Sequence, residues 1–247
     1  MKDDPLITIA VPSFNQGRFL DDALTSIYNQ NLPVEVFVLD GGSTDCTLEV
    51  MEKWKPRLTG WRSGADAGQA AAINEGIALG SAPYVCWLNS DDYFTEGGLD
   101  ALVAALARSD APAAYGQCQN FVQKSGKSYP VWVEEFNVDR LAVRCIISQP
   151  ATLVRRSAWE AVGGVDPKLH MVMDYDLWWR LFEFGGPLLH IDTLVAVNRE
   201  HEGTKTKTLR RRHYSEAMTI VRKHYGRVPW KWWLAQPYAV WYKSLIR

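Results

Sequence analysis

The chain has no apolar run of the roughly 18 residues that a membrane span needs. Its first residues, Met1-Lys2-Asp3-Asp4-Pro5, contain no apolar core of a secretory signal. It has no C-x-x-C pair: Cys46, Cys86, Cys118 and Cys145 are far apart and read as ordinary reduced core thiols of a cytoplasmic protein. No G-x-G-x-x-G is present, so the dinucleotide fingerprint of a dehydrogenase is missing. There is no internal repeat and no low-complexity stretch. What remains is ordinary globular material, 47% hydrophobic and 22% charged over 247 residues. That length suits one large domain, or one domain with an appendage.

The net charge of −1 conceals an asymmetry. From Lys205 to Arg247 there are 11 lysines and arginines against one acid, Glu216, a net of +10. Residues 1–204 carry 16 against 27 acids, a net of −11. An acidic body with a basic tail implies two different jobs.

The body alternates strand and helix. Leu6–Val11 is a β-branched run stopped by Pro12. Helical spacing of Phe19, Leu20, Ala23, Leu24 and Ile27 predicts a helix over Arg18–Gln30. Strands at Val34–Leu39, Leu58–Arg62 and Tyr84–Leu88 alternate with helices ending near Trp54, over Ala70–Leu79, and over Leu99–Arg108. Ser43 or Thr44 is the expected cap of the helix running through Trp54. Such alternation implies a parallel sheet with helices on both faces. The pattern then loosens. Ala113–Val122 and Tyr129–Val133 suggest a hairpin, Thr152–Val154 a strand, and Ser157 a cap for Ala158–Val162. Leu177–Phe184 reads as a helix and Leu188–Val197 as one or two strands.

Polar motifs sit where ligands bind such a sheet, beyond the strands' carboxyl ends. Asn89-Ser90-Asp91-Asp92 follows the apolar run Tyr84–Leu88. Paired acids there suit a hard divalent cation, whose usual cargo is a diphosphate, although Asn, Ser and Asp also favour a plain turn. Asp40-Gly41-Gly42-Ser43 closes a buried strand with an acid followed by two glycines, which let a ligand approach the backbone. Asp66-Ala67-Gly68-Gln69 precedes a helix carrying Asn74-Glu75-Gly76, and reads either as a polar contact to sugar or nucleotide or as an acid on a helix dipole. In Asp174-Tyr175-Asp176 the two acids point apart if helical, one free to face a cleft. Arg180 is a partner for an acid or a phosphate.

Pro12-Ser13-Phe14-Asn15, Asp40-Gly-Gly-Ser-Thr-Asp45, Asp66-Ala-Gly-Gln, Trp87-Leu-Asn-Ser-Asp-Asp92 and Asp174-Tyr-Asp-Leu-Trp-Trp-Arg180 occur in that order. Together, over about residues 5–203, they resemble glycosyltransferase family 2. The resemblance implies the α/β GT-A fold: an open, mostly parallel, Rossmann-like twisted sheet with helices on both faces. It implies a domain over residues 1–204, with a nucleotide-binding half (about 5–110) and an acceptor half (about 111–204), and a helical extension over 205–247. The implied activity is inverting, metal-dependent transfer of a sugar from a nucleoside diphosphate, most often UDP, to an acceptor hydroxyl in cell-surface polysaccharide or glycolipid assembly. Pro12 and Ser13 would line the base pocket and Asp40 would bind the base. Asp66 would contact nucleotide or sugar, and Asn89 the ribose. Asp91 would ligate Mn²⁺ or Mg²⁺, with Asp92 in support. Asp174 matches the catalytic acid, and His201 resembles a histidine that some members place near the metal. Asn89 departs from the family's D-x-D, which has an acid there.

Two other readings remain open. A sugar nucleotidyltransferase would need a glycine-rich, basic loop after the first strand, and none is present. A non-catalytic adaptor is allowed by Asn89. Gly203–Lys207 suggests a lid whose lysines touch phosphates. In the tail, Ala217, Ile220, Val221 and Tyr225 recur on one side of a helix after Arg210-Arg211-Arg212-His213. Trp230, Trp232, Trp233, Tyr238, Trp241 and Tyr242 follow, interleaved with Lys231, Lys243 and Arg247. Such a tail either rests on an anionic membrane surface, where a lipid-linked saccharide acceptor would lie, or packs on the body or a second subunit. No nucleic-acid partner is expected, because the remaining surface is acidic.

Overall fold

A computed structural model describes residues 4–203 and 209–236. The apolar, β-branched runs become β1 (Ile7–Ser13), β2 (Val34–Asp40), β3 (Gly60–Ser63) and β4 (Tyr84–Trp87), all parallel, in the spatial order β3-β2-β1-β4. Between them run α1 (Gly17–Tyr28), α2 (Thr47–Trp54) and α3 (Gln69–Leu79), with α4 (Gly98–Leu106) after β4. The register aligns Ser13 with Asp40 and Asp40 with Ser63. Three polar side chains therefore end adjacent strands in one row.

The loosened half extends the same sheet. β5 (Tyr93–Phe94), β6 (Ala113–Val122), β7 (Lys127–Pro130), β8 (Thr152–Arg155) and β9 (Leu189–Glu200) continue the order as β4-β8-β6-β9-β5, with β7 beside β6. β8 runs antiparallel to β4, and β9 parallel to β6. α5 (Val138–Val143), α6 (Arg156–Val162) and α7 (Met173–Gly185) cover one face. The tail adds α8 (Arg210–Tyr225) and a short helix, Trp230–Gln236.

Period-two alternation divides the core between the sheet's faces. Ala10, Val85 and Trp87 join Trp159, Trp178 and Trp179 in one cluster, while Ile7, Ile9, Val11, Cys86 and Leu88 join the other under α1 and α4. Trp87 stacks on Trp178 at 6.2 Å and meets Trp159 edge-on at 6.0 Å. That pair fixes α7 over the strand carrying the Asn89 turn. Gly76 marks the closest helix–sheet approach: a Cβ there would lie 2.7 Å from Ala10 Cβ and from Leu39 Cδ2.

Several local expectations are corrected. Ser43 and Thr44 do not cap α2, because Ser43 is drawn back onto Asp40; Asp45 accepts from Thr47 N at 3.0 Å instead. Ser157 does not cap α6, which already begins at Arg156. The hairpin's return strand starts at Lys127 rather than Tyr129, because Gly126, at φ +67°, closes the turn earlier. Leu188–Val197 yields a single strand reaching Glu200, paired with β6 along its length. The Tyr93–Phe94 strand, α5 and a 3₁₀ turn at Gln149–Ala151 had no local signal strong enough to read.

Candidate active site

The carboxyl ends of β1, β2 and β4 place the sequence motifs along one edge of the sheet. Pro12 and Ser13 end β1 and are buried. Ser13 Oγ is shielded from solvent and has no hydrogen-bond partner among the described residues. Beyond it the chain turns through Asn15, held left-handed at φ +53°. Asn15 N donates to Ser43 Oγ at 2.7 Å, and its Oδ1 accepts from Thr44 N at 2.9 Å, so the turns after β1 and β2 are laced together.

Asp40 is fully buried. Its carboxylate accepts from Gly42 N at 3.1 Å, Ser43 N at 2.9 Å, Ser63 Oγ at 2.5 Å and the Ser43 hydroxyl. It therefore spends its lone pairs on shaping the Gly41–Ser43 turn. Over that turn stands Phe14, 61% exposed, whose ring lies 3.3 Å from where a Gly41 Cβ would be; Asp66 Oδ2 lies 3.7 Å from the same point. Glycine thus leaves an open floor between an aromatic face and a carboxylate. Asp66 accepts from Gly68 N at 2.8 Å and pairs with Arg62 at 3.3 Å, and Arg62 is held by Glu75 at 2.6 Å. Asn74 faces elsewhere: its amide clasps the backbone of Val165.

The Asn89 turn forms a second cluster. Asp91 Oδ2 is 2.9 Å from His201 Nε2 and accepts from Gln16 Nε2 at 3.0 Å. Asp92 is buried; it accepts from Arg199 N at 3.0 Å and from Asn89 Nδ2 at 3.1 Å. Burial, and next the charge of Asp91, push the Asp92 carboxyl up. Asn89 also accepts from Gln69 Nε2 at 2.7 Å and donates to Gln149 Oε1 at 3.1 Å. Arg199 braces the turn from β9: Nε donates to Asp91 O at 3.1 Å, while the other guanidinium nitrogens hold Gln123 and Asp22, each at 2.9 Å. Phe19 packs against the His201 ring at 4.9 Å. Asp91 and His201 thus meet from elements 110 residues apart. Oxygen and imidazole nitrogen at that separation fit neighbouring positions on one divalent ion. Among the described residues no three histidine, cysteine, aspartate or glutamate side chains converge on such a point.

Asp174 lies in the first turn of α7, one turn before Trp178 and on its face of the helix. Burial pushes its carboxyl up, and Tyr175 N, donating at 2.8 Å, and the nearby His213 pull it back. Asp176, itself buried, points the other way, to Arg180 at 2.6 Å, Lys223 at 3.0 Å and the His224 imidazole at 3.0 Å. Arg180 also donates to Val162 O and Gly164 O, both at 2.7 Å, so it serves structure rather than a phosphate. Glu216 of α8 accepts from His170 N and Met171 N, just ahead of Asp174.

Sequence reasoning gave no role to Phe14, Gln16, Asp45 and Arg199. Phe14 had a readable signal, an aromatic residue between a strand end and a turn. The others act through tertiary partners and had none. Lys205 and Lys207 of the expected lid lie outside the described residues.

The sequence model of the family described as "Glycosyl transferase family 2" matches residues 8–160. The chain is 29% identical over 209 residues to a PGL/p-HBAD biosynthesis glycosyltransferase of Mycobacterium bovis, covering 81% of this chain and 78% of that one. It is 26% identical over 212 residues to the chondroitin synthase of Pasteurella multocida, covering 82% of this chain but only 21% of the synthase. Among solved structures, S. aureus TarS 1–349 in complex with UDP-GlcNAc shares the fold, with a TM-score of 0.73, 18% identity, and coverage of 89% of this chain and 66% of that one. The mannosyltransferase PcManGT of Pyrobaculum calidifontis, in complex with GDP-Man and Mn²⁺, does so with a TM-score of 0.71, 19% identity, and coverage of 98% and 74%. With its family model matched over more than half its length, and its fold shared with these neighbours, the chain belongs to glycosyl transferase family 2 and has the GT-A fold.

Proposed function

We propose that this protein transfers a sugar, with inversion, from a nucleoside diphosphate donor to an acceptor hydroxyl, in the assembly of a polysaccharide or glycolipid at the cytoplasmic face of a membrane. The observation that carries the reading is the convergence of Asp91, His201 and Gln16 beyond the parallel strands, beside the open floor at Gly41. A uridine donor is the first choice. Its base would lie against Phe14, with the Pro12–Ser13 strand end and the Asp40-shaped turn beneath it. Asp66 and Asn89 would meet the ribose or the donor sugar. Asp91 and His201 would hold Mn²⁺ or Mg²⁺, which when bound neutralises the charge gathering on the departing diphosphate. Asp92, buried and braced by Arg199, keeps the Asp91 backbone in place. Asp174 would accept the proton of the acceptor hydroxyl as its oxygen bonds to the anomeric carbon and the bond to the diphosphate oxygen breaks. Its raised carboxyl suits that task, because a stronger base takes the proton more readily.

The experiment is a thermal-shift and donor-turnover screen of UDP-GlcNAc, UDP-glucose and GDP-mannose, with and without Mn²⁺. A ligand that binds only the folded form raises the melting temperature. We expect at least one donor to do so in the presence of Mn²⁺, and Asp91→Ala to abolish the metal-dependent part. No shift and no turnover with any donor would remove the reading.

A further inference from the structure

The transferase reading leaves the aromatic tail unused. In the helix Trp230–Gln236, Trp232 turns inward: it is 8% exposed, its indole N–H donates to Ala142 O at 2.8 Å, and its carbonyl accepts from the Tyr214 hydroxyl at 2.7 Å. Fixing Trp232 this way turns its neighbours out. Trp230, Trp233 and Leu234 are 65%, 52% and 68% exposed. Their i, i+3, i+4 spacing puts them on one helical face. Arg227 and Lys231 are exposed beside them. The only acid from residue 205 onward, Glu216, is turned to the body, where Arg212 and the backbone of His170 and Met171 engage it.

We infer that the Trp230–Trp233–Leu234 face docks on an anionic lipid bilayer. Tryptophan favours the boundary between headgroups and hydrocarbon, and cations nearby favour anionic headgroups. Three half-exposed side chains bury a few hundred Å² at most, against about 800 Å² per partner in a stable protein interface. The patch is therefore too small to hold a second copy of the chain, but it suffices for an interfacial anchor aided by a tail of net charge +10. The body, at −11, is repelled by the same headgroups, so docking is one-sided. Docking would bring the active site to a lipid-linked acceptor; that use, unlike the docking itself, rests on the transferase reading.

The test is sedimentation of the full chain with vesicles of phosphatidylglycerol and phosphatidylcholine, against vesicles of phosphatidylcholine alone, at low and high salt. Trp230→Ser with Trp233→Ser is the variant, and unchanged melting temperature and donor-induced shift serve as its controls. We expect the wild type to pellet with the anionic vesicles, several-fold less at high salt, and the variant to lose at least five-fold of its bound fraction. Equal recovery in the supernatant with and without vesicles would overturn the proposal. So would a variant that pellets like the wild type, or a dimer in light scattering that the double substitution dissolves while vesicle binding is nil. A protein without transferase activity that still pellets would sink the earlier reading and leave this one standing.

Discussion

Asp176→Asn tests whether the helix carrying Asp174 is held by charge. Asp176 is 1% exposed and meets two cations, Arg180 and Lys223, and the imidazole of His224. These do not weigh equally. Lys223 is about half exposed, and an ion pair there contributes between zero and about 1 kcal/mol. Arg180 is 18% exposed, and its Nη2 is already buried without a partner among the described residues. Removing its counter-charge leaves an uncompensated buried guanidinium, which costs about 3–5 kcal/mol. Asparagine keeps the shape, so no cavity is added. For a chain of this size each kcal/mol moves the melting temperature by about 2–4 °C, so a fall on the order of 10 °C is expected by circular dichroism at pH 7. Acid provides an internal control. Burial raises the Asp176 carboxyl, but hydrogen bonds from His224, Arg180 and Lys223 outweigh it and hold the group well below the usual carboxylate range. A depressed folded-state value means the contribution is present above the unfolded value of about 4 and is lost as pH falls below it. The gap between wild type and variant should therefore narrow progressively as pH drops below about 4 and vanish only toward the depressed folded-state value. A fall of under 2 °C at pH 7, or a gap that does not narrow at all between pH 5 and pH 2–3 with both proteins folded, would refute the reasoning.

Other substitutions probe the site itself. Asp40→Asn turns one oxygen into a donor among hydrogen bonds that all point inward, so each donor left unmet costs about 1–3 kcal/mol; urea unfolding should show the loss together with weaker donor binding. Gly76→Ala gains about 1 kcal/mol of helix propensity but forces a Cβ to 2.7 Å from Ala10 and Leu39, an overpacking cost of about 1–3 kcal/mol; calorimetry should find net destabilisation. Asp174→Asn should lower donor turnover with acceptor by roughly 10²–10⁴-fold while nucleotide binding is kept. In the wild type the acid limb of the rate profile should lie above the ordinary carboxylate range, because burial raises Asp174 and the group must be ionised to accept a proton. A limb at pH 4 or below would contradict that assignment.

The first half of the sheet was legible because its signals are local. Short β-branched strands, helical periodicity and small-residue turns repeat in step, and each is read within a dozen residues. The second half was not, because β8, β6 and β9 enter the sheet out of sequence order, and no local pattern encodes which strand lies beside which. The site divides the same way. Asp91 and Asp174 could be picked as candidates from their motifs. Arg199 could not, since its importance lies in reaching Asp22, Gln123 and the Asp91 backbone at once, 76 to 177 residues away. Asp40 and Asp176 were both visible as acids at motif positions. Their burial and saturation are tertiary facts, and they decide whether an acid meets a ligand or holds a turn.

Asn89, the departure from the family's paired acids, makes sense in these terms. The turn already holds Asp91 and a buried Asp92. Asn89 sits 3.1 Å from Asp92 Oδ2 and supplies the hydrogen bond that the carboxylate needs. A third carboxylate there would remove the donor and add a further acid beside a carboxyl that burial and Asp91 already push up. The same amide accepts from Gln69 and donates to Gln149, tying the start of α3 and the 3₁₀ turn to the Asp91 loop. A carboxylate could accept Gln69's bond, but it could not donate to Gln149 or Asp92. Asparagine is therefore the side chain that lets this turn keep two acids close together with its hydrogen bonds satisfied, leaving Asp91 as the carboxylate directed at His201.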